Sequence, residues 1–381
     1  MIYFDNAAAS FPKPLQTKRA VVKALDYYGA NPGRSGHDAS MRCSEMVFSA
    51  RNKIASLLKC GGGENIIFVQ NCTQALNFAM KGVLKKGDHF LISSFEHNSV
   101  YRTAEALSRN NEISYDVVPV DIEDDEKTLR EFKRRIKRNT KLICCIHGSN
   151  VFGNILPVEE ICKLAHRNGI LFLLDAAQTA GTLDIDVSHE FCPDYICMAC
   201  HKGLFAPNSL GALVTTQESG EILTPLIYGG TGSSSFSGDM PDFLPDKLEA
   251  GTLNTTAIAG LCGGLEFIKN IGINKIHEHE MNLTNALYNE LSKVKNVKLY
   301  NKPNLPVLSF NIGNLTGEET CSLLNNSGFC LRGGYHCSPL AHMSMRTDAS
   351  GTARASIGPF NAMSEVSRLC ETIYNISRKY A

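Results

Sequence analysis

The chain has 381 residues, with 43% hydrophobic and 20% charged side chains, an ordinary globular composition long enough for two domains. Its 38 Lys+Arg balance 38 Asp+Glu, so no general attraction to nucleic acid or to a membrane surface is expected. No stretch is apolar over a transmembrane length, and MIYFDNAAAS lacks a basic segment followed by an apolar one; no secretory signal is expected, and the compartment expected is the cytoplasm.

In chain order, residues 1–15 read as an extended arm broken by Pro12 and Pro14, leading into a helix over about 15–28. A Gly/Pro-dense loop at 31–37 carries Arg34 and His37. The helix expected over 41–59 places Val47, Ile54, Ala55 and Leu58 near helical spacing. Strands and helices then alternate: strand 66–69, helix 75–83, strand 89–93, helix 101–109, strand 114–118, helix 128–138, strand 142–147 and helix 158–168. Strands at 170–174, 194–199 and 211–215 follow. Such alternation predicts an α/β fold with a largely parallel sheet covered on both faces. Residues 229–240 form a loop by composition, and helices are expected over 255–270 and 275–294. Strands at 297–300 and 307–312 with a closing helix at 363–378 suggest a second, smaller α+β domain.

Several apolar runs end in polar residues, as strands do where an α/β sheet builds a site. LFLLD releases Asp175, with Gln178 three residues on. The run 195–199 releases Cys200, His201 and Lys202. A carboxylate and a lysine at neighbouring strand ends suit a Schiff-base cofactor, or form a plain ion pair. The turn Asn71-Cys72-Thr73 opens a helix whose N–H groups make a phosphate seat or an ordinary cap. Glu96-His97-Asn98 and Asn150 follow two more strands.

The fourteen cysteines are irregularly spaced. Several lie in apolar runs, where a reduced thiol behaves as a small hydrophobe, and no disulfide scaffold is expected. Cys192, Cys197, Cys200 and His201 have a spacing seen in zinc sites, yet a strand over 194–199 would point Cys197 and Cys200 to opposite faces, so no metal is expected. LRGGYHCSPLAH places Cys337 beside His336 and near Arg332. This is a setting for a nucleophilic thiol, or with His342 for a metal. Arg354 is a cation in an otherwise apolar strand-like segment, where it needs a carboxylate partner.

Seven separated segments resemble, in order, the motifs of the cysteine desulfurase and selenocysteine lyase family of class V, fold-type I pyridoxal phosphate (PLP) enzymes. They are FDNAA, NPGRSGH, NCTQALN, EHNS, DAAQ with CHKG, EAGTLNT, and RGGYHC followed by ARAS. The form of the cysteine loop is similar to that of SufS-type desulfurases. The resemblance implies a large PLP-binding domain over 16–270 with a mostly parallel seven-stranded sheet, and a small domain formed by 1–15 and 271–381. Lys202 is then expected to hold PLP, Asp175 to bind its ring nitrogen, Gln178 its phenolic oxygen, and His97 to stack on the ring. Cys72, Thr73 and His201 are expected to seat the phosphate, with Thr252 reaching in from the neighbouring subunit of a homodimer. Asn150 and Arg354 are expected to take the substrate carboxylate, Arg332 to lie close by, and Cys337 to carry the persulfide.

The implied reaction is removal of sulfur from L-cysteine, the sulfur passing to an acceptor protein. Selenocysteine lyase activity and a non-catalytic sulfur-carrier or scaffold role are the alternatives. Ala199 and Cys72 replace residues that often supply hydroxyls, so backbone donors or residues 229–235 are expected to compensate.

Overall fold

The structure, a computed structural model, describes residues 1–33, 36–111 (Asn111 by its backbone alone) and 113–380. Arg34, singled out above, lies outside the described residues. In chain order the elements are β1 (Ile2–Tyr3), α1 (Leu15–Tyr27), α2 (Asp38–Leu58), β2 (Ile66–Val69), α3 (Cys72–Val83), β3 (His89–Ser93), α4 (Asn98–Asn111) and β4 (Ser114–Val118). They continue with α5 (Asp125–Arg135), β5 (Thr140–Ile146), α6 (Val158–Arg167), β6 (Leu171–Asp175), β7 (Tyr195–Ala199), β8 (Gly211–Thr215), α7 (Gln217–Glu221), α8 (Thr255–Ile271) and α9 (Ile273–Leu291). The last are β9 (Val297–Leu299), β10 (Val307–Ile312), α10 (Gly317–Asn326), β11 (Phe329–Cys330), β12 (Arg332–Gly334), α11 (Pro339–Ser344), β13 (Thr352–Ser356) and α12 (Met363–Lys379).

A seven-stranded sheet has the order β2-β8-β7-β6-β5-β3-β4. It is parallel throughout except for β8, which runs antiparallel to both neighbours. Residues alternate between its two faces with the strand period of two. Ile143, Cys145, Phe172 and Leu174 enter one core, while Leu142, Cys144 and Leu173 enter the other. By the same alternation Cys197 lies in the second core and Cys200 in the first, which separates two of the residues with zinc-like spacing.

A four-stranded antiparallel sheet, β12-β13-β10-β9, packs with α9 and α12 around a third core that includes Leu287, Phe310, Ala355 and Ile373. The opening arm belongs to this layer. β1 pairs parallel with β11, and Phe4 is fully buried beside Phe329. Helix α10 is absent from the sequence-based reading, although Thr316 and Glu319 form the reciprocal cap that marks its start. Helices α2, α3, α4 and α5 each begin three residues earlier than their hydrophobic periodicity indicates, because capping polar residues, not apolar ones, set where a helix starts.

Candidate functional site

The strands β2, β3, β5, β6 and β7 all point one way, so their C-terminal ends share one edge of the sheet. There Thr73, His97, Asn150, Asp175 and Lys202 line one cleft of about 200 Å³, joined by Cys72, His201, Arg332, His336 and Arg354. Those five strand-end residues, read separately from the sequence, converge on one space.

At one end of the cleft lies the start of α3. The Asn71 side chain caps the helix by accepting from the Gln74 N–H at 2.9 Å. Among the described residues the Cys72 and Thr73 N–H groups have no acceptor, and the helix dipole makes this end positive. Gly211 on β8 makes the approach possible: a Cβ there would meet the Asn71 carbonyl carbon at 2.4 Å and the Cys72 nitrogen at 2.7 Å. The side chains are committed elsewhere. The Thr73 hydroxyl pairs with Ser99 Oγ at 2.7 Å, and Cys72 Sγ faces Asp175 Oδ1 at 3.7 Å. Burial drives the Cys72 thiol well above its usual range. The Cys72 sulfur is thus turned to the carboxylate, and the part of Cys72 left for an anion is its N–H.

Asp175 is 2% exposed at the end of β6, where Oδ1 accepts from the Ala177 N–H at 2.9 Å. Burial raises its pKa and the N–H bond opposes that rise. Lys202 lies on the turn after β7, partly buried, with its pKa lowered first by burial. The two do not approach within ion-pair distance, which removes the plain strand-end salt bridge. Each keeps an unused valence toward the cleft: the Lys202 amine and Asp175 Oδ2 have no hydrogen bond among the described residues. Gln178 donates to the Ala7 carbonyl at 3.0 Å, and with Lys202 it lines an adjoining cavity.

His97 is held by Ser99, whose N–H donates to His97 Nδ1 at 3.1 Å and whose hydroxyl lies 2.9 Å from the same atom. Nδ1 is thus the acceptor and Nε2 carries the proton. Burial, followed by the charges of Lys202 and Arg332, lowers its pKa to about 4, so the ring is neutral at physiological pH. His201, also lining the cleft, is lowered to about 4 by burial, Lys202 and Lys13, and its buried Nδ1 has no partner among the described residues.

The cysteine loop is pinned from three sides. Asn98 N–H donates to the Cys337 carbonyl at 2.7 Å, Asn150 Nδ2 to the His336 carbonyl at 2.8 Å, and Ser338 Oγ to Asn150 Oδ1 at 2.8 Å. His336 and Cys337 both adopt left-handed backbone, at φ 51° and 60°, an uncommon conformation for non-glycine residues that these bonds over-determine. Arg332 Nη2 lies 3.5 Å from Cys337 Sγ. The expected thiol–histidine pairing is absent: His336 turns its Nε2–H to the Thr352 carbonyl at 3.1 Å. His342 Nδ1 is likewise taken, by Thr347 Oγ1 at 2.6 Å.

Arg354 is 1% exposed, and its charge is already compensated within the chain. It donates to Asp5 Oδ1 at 2.5 Å and to the Asn150 carbonyl at 2.8 Å, leaving buried Nε unpaired. Asn150 likewise spends its side chain on the cysteine loop. Thr252 is exposed and lies outside the cleft of its own chain, as do residues 229–235. Sequence reasoning missed Asp5, Ser99, Ser338 and Lys13, which hold the named residues in place. The spacing in the FDNAA segment contained Asp5 but no hint of its partner.

A carboxylate, an amine, a neutral ring face and a helix N-terminus around one cleft could hold a flat heteroaromatic aldehyde with a basic nitrogen and a phosphate. The aminotransferase class-V family model matches residues 2–369. A probable cysteine desulfurase of Methanothermobacter thermautotrophicus is 32% identical, the alignment covering 99% of this chain and 94% of that one. One from Synechocystis sp. is 30% identical over 98% and 90%. An apo structure of cysteine desulfurase from Thermococcus onnurineus NA1 superposes with a TM-score of 0.89 at 27% identity, covering 99% of this chain and 95% of that one. The chain belongs to the class-V aminotransferase family.

Proposed function

We propose that this chain is a PLP-dependent cysteine desulfurase, converting L-cysteine to L-alanine and leaving the sulfur as a persulfide on Cys337. The observation that carries the reading is Arg332: it lines the cleft with Lys202 and Asp175 and also reaches the Cys337 sulfur. A plain transaminase has no use for a thiol so placed. The similarity to proteins named as cysteine desulfurases supports the same assignment.

The residues fit the cofactor. Lys202 offers the amine for its aldehyde, and Asp175 the buried carboxylate for its ring nitrogen. Gln178 retains an amide hydrogen for the phenolic oxygen, and His97 supplies a neutral face. The Cys72 and Thr73 N–H groups with the unpaired His201 Nδ1 suit its phosphate. When bound, PLP supplies an electron sink for the bonds at the substrate Cα. Lys202 Nζ accepts and returns the Cα proton. Asn150 and Arg354, which line the cleft, are the groups for the substrate carboxylate, and Arg354 Nε has no partner among the described residues. Cys337 Sγ, beside the Arg332 guanidinium, bonds to the substrate sulfur as the C–S bond breaks; the electron pair of that bond stays on Cβ, which takes up a proton given up by the thiols, and alanine leaves. A sulfur-acceptor protein then takes the outer sulfur.

We also infer a domain division at 16–270 against 1–15 with 271–381, supported by the third core. A homodimer in which Thr252 reaches the neighbouring cleft is supported by exposed Val22, Leu25, Tyr228 and Phe243. None of the helices among the described residues is long and apolar enough to cross a membrane, and we place the enzyme in the cytoplasm.

The test is alanine release from L-cysteine and L-selenocysteine, run side by side. Turnover of cysteine with a persulfide trapped on Cys337, lost in Lys202→Ala and Cys337→Ala, supports the assignment. Turnover of selenocysteine alone makes the protein a lyase. Protein that stays colourless with PLP and releases no alanine is a scaffold.

A further inference from the structure

We propose that Lys13 is a positioning residue for Lys202: by holding the His201 carbonyl, it fixes the peptide from which the Lys202 side chain departs. The inference rests on the PLP reading above and concerns a residue outside the cleft lining. Lys13 Nζ donates to the His201 carbonyl at 2.7 Å and to Ser10 Oγ at 2.7 Å. Ser10 reinforces the same carbonyl through its hydroxyl at 3.1 Å and its N–H at 3.2 Å. Three donors from the opening arm thus converge on one oxygen, and that oxygen belongs to the peptide joining His201 to Lys202.

The turn needs such a clamp. Residues 201–204 are neither helix nor strand; the turn is closed by Lys202 N–H to the Ala199 carbonyl at 3.2 Å, Phe205 N–H to the Lys202 carbonyl at 2.9 Å and Ala206 N–H to the Cys200 carbonyl at 2.9 Å, none of which holds the His201 carbonyl. A lysine side chain has four rotatable bonds, so a small rotation of its peptide plane swings the amine far. A displacement of about 1 Å at a reacting group is enough to cost roughly a hundredfold in rate.

A merely structural anchor would not require a charge. Ser10, 5% exposed, already satisfies the carbonyl. Among the described residues Lys13 has no carboxylate within ion-pair distance. Burial of this uncompensated ammonium lowers its pKa to about 8, a cost that a neutral donor would avoid. The charge also acts on the neighbouring ring, since Lys13 is among the groups that keep His201 neutral. The arm as a whole serves the site: Asp5 holds Arg354, Ala7 holds Gln178, and Ser10 with Lys13 holds the Lys202 turn.

The experiment uses full-length protein stripped of cofactor, incubated with PLP, quenched with borohydride at intervals, and mapped by peptide mass spectrometry. The rate of label appearing on Lys202 is compared for wild type, Lys13→Met, Lys13→Arg and Ser10→Ala. The expected result is a roughly tenfold slower Lys202 label in Lys13→Met, with unchanged labelling of surface lysines. Lys13→Arg, which keeps charge and donor, is expected within about twofold of wild type. Wild-type labelling in a folded Lys13→Met overturns the proposal, as does failure of Arg to restore the rate. If Lys13→Met does not fold, Ser10→Ala decides: slowed labelling supports the clamp and a wild-type rate overturns it. Wild-type protein that takes no label on Lys202 instead overturns the PLP reading, and the clamp with it.

Discussion

Arg332 and Arg354 lie directly opposite one another on the adjacent antiparallel strands β12 and β13. Like charges in that register repel, and each cation is separately answered. Arg354 has Asp5 at 2.5 Å, and Arg332 has the Cys337 sulfur at 3.5 Å. The pair places two positive charges at one wall of the cleft, and among the described residues only Arg354 is tied to a carboxylate. The other is committed to the atom that the proposed chemistry makes nucleophilic.

Asp5→Asn removes the counter-charge of a buried guanidinium without changing its shape. Breaking one side of a buried ion pair costs about 3 kcal/mol. A marked drop in the urea unfolding midpoint is expected, and an unchanged midpoint would show that the Asn150 carbonyl alone suffices for Arg354.

Replacing Arg332 by Met takes away the guanidinium beside Cys337 while leaving the three hydrogen bonds that pin the loop in place. A hydrogen bond to a charged group is worth about 1.5–3 kcal/mol, so alkylation of Cys337 by iodoacetamide should slow by roughly tenfold. The other thirteen cysteines serve as internal controls in the same digest. Equal rates in the two proteins would refute a role for Arg332 in activating the thiol.

The site was legible where chemistry follows directly on a strand. Thr73, His97, Asn150, Asp175 and Lys202 each come just after a short apolar run, and the C-terminal ends of strands running one way share an edge. What holds those residues was not legible, because the partners are remote in sequence. Asp5 meets Arg354 across 349 positions, and Lys13 meets the His201 carbonyl across 188. Side-chain direction was also hidden. Cys72 and His336 stand where motif and spacing put them, yet one turns to Asp175 and the other to Thr352. The antiparallel course of β8 likewise left no mark, since a strand buried on both faces reads the same in either direction.

Gly211 offers a test of the α3 anion seat that touches none of its donors. An added Cβ meets backbone atoms of Asn71 and Cys72, which cannot rotate aside, so the first turn of α3 must shift. Gly211→Ala is expected to lower stability by about 1–3 kcal/mol. It should also weaken PLP retention on dialysis more than it weakens binding of pyridoxal, which lacks the phosphate. Equal losses of the two would separate the helix start from phosphate binding.

Stability without added cofactor should peak near pH 6.5. Burial is the first cause lowering His97, His147, His201 and His342 to about 4 from 6.5, and the first cause raising Glu96 and Glu280 to about 8 from 4.5. Between pH 4.5 and 6.5 the unfolded chain binds protons on four histidines that the folded chain leaves neutral. It also releases protons from two glutamates that the folded chain keeps. The histidines outnumber the glutamates, so stability rises with pH through this window. From pH 6.5 to 8 these histidines are neutral in both states while Glu96 and Glu280 still hold protons that the unfolded chain has lost, so their contribution falls. Urea midpoints measured from pH 5 to 8 should trace this rise and fall. Glu96→Gln with Glu280→Gln should flatten the second limb while leaving the first. A midpoint that does not fall between pH 6.5 and 7.5, below the range where Lys13 titrates, would show that the two buried carboxyls are ionised in the folded state.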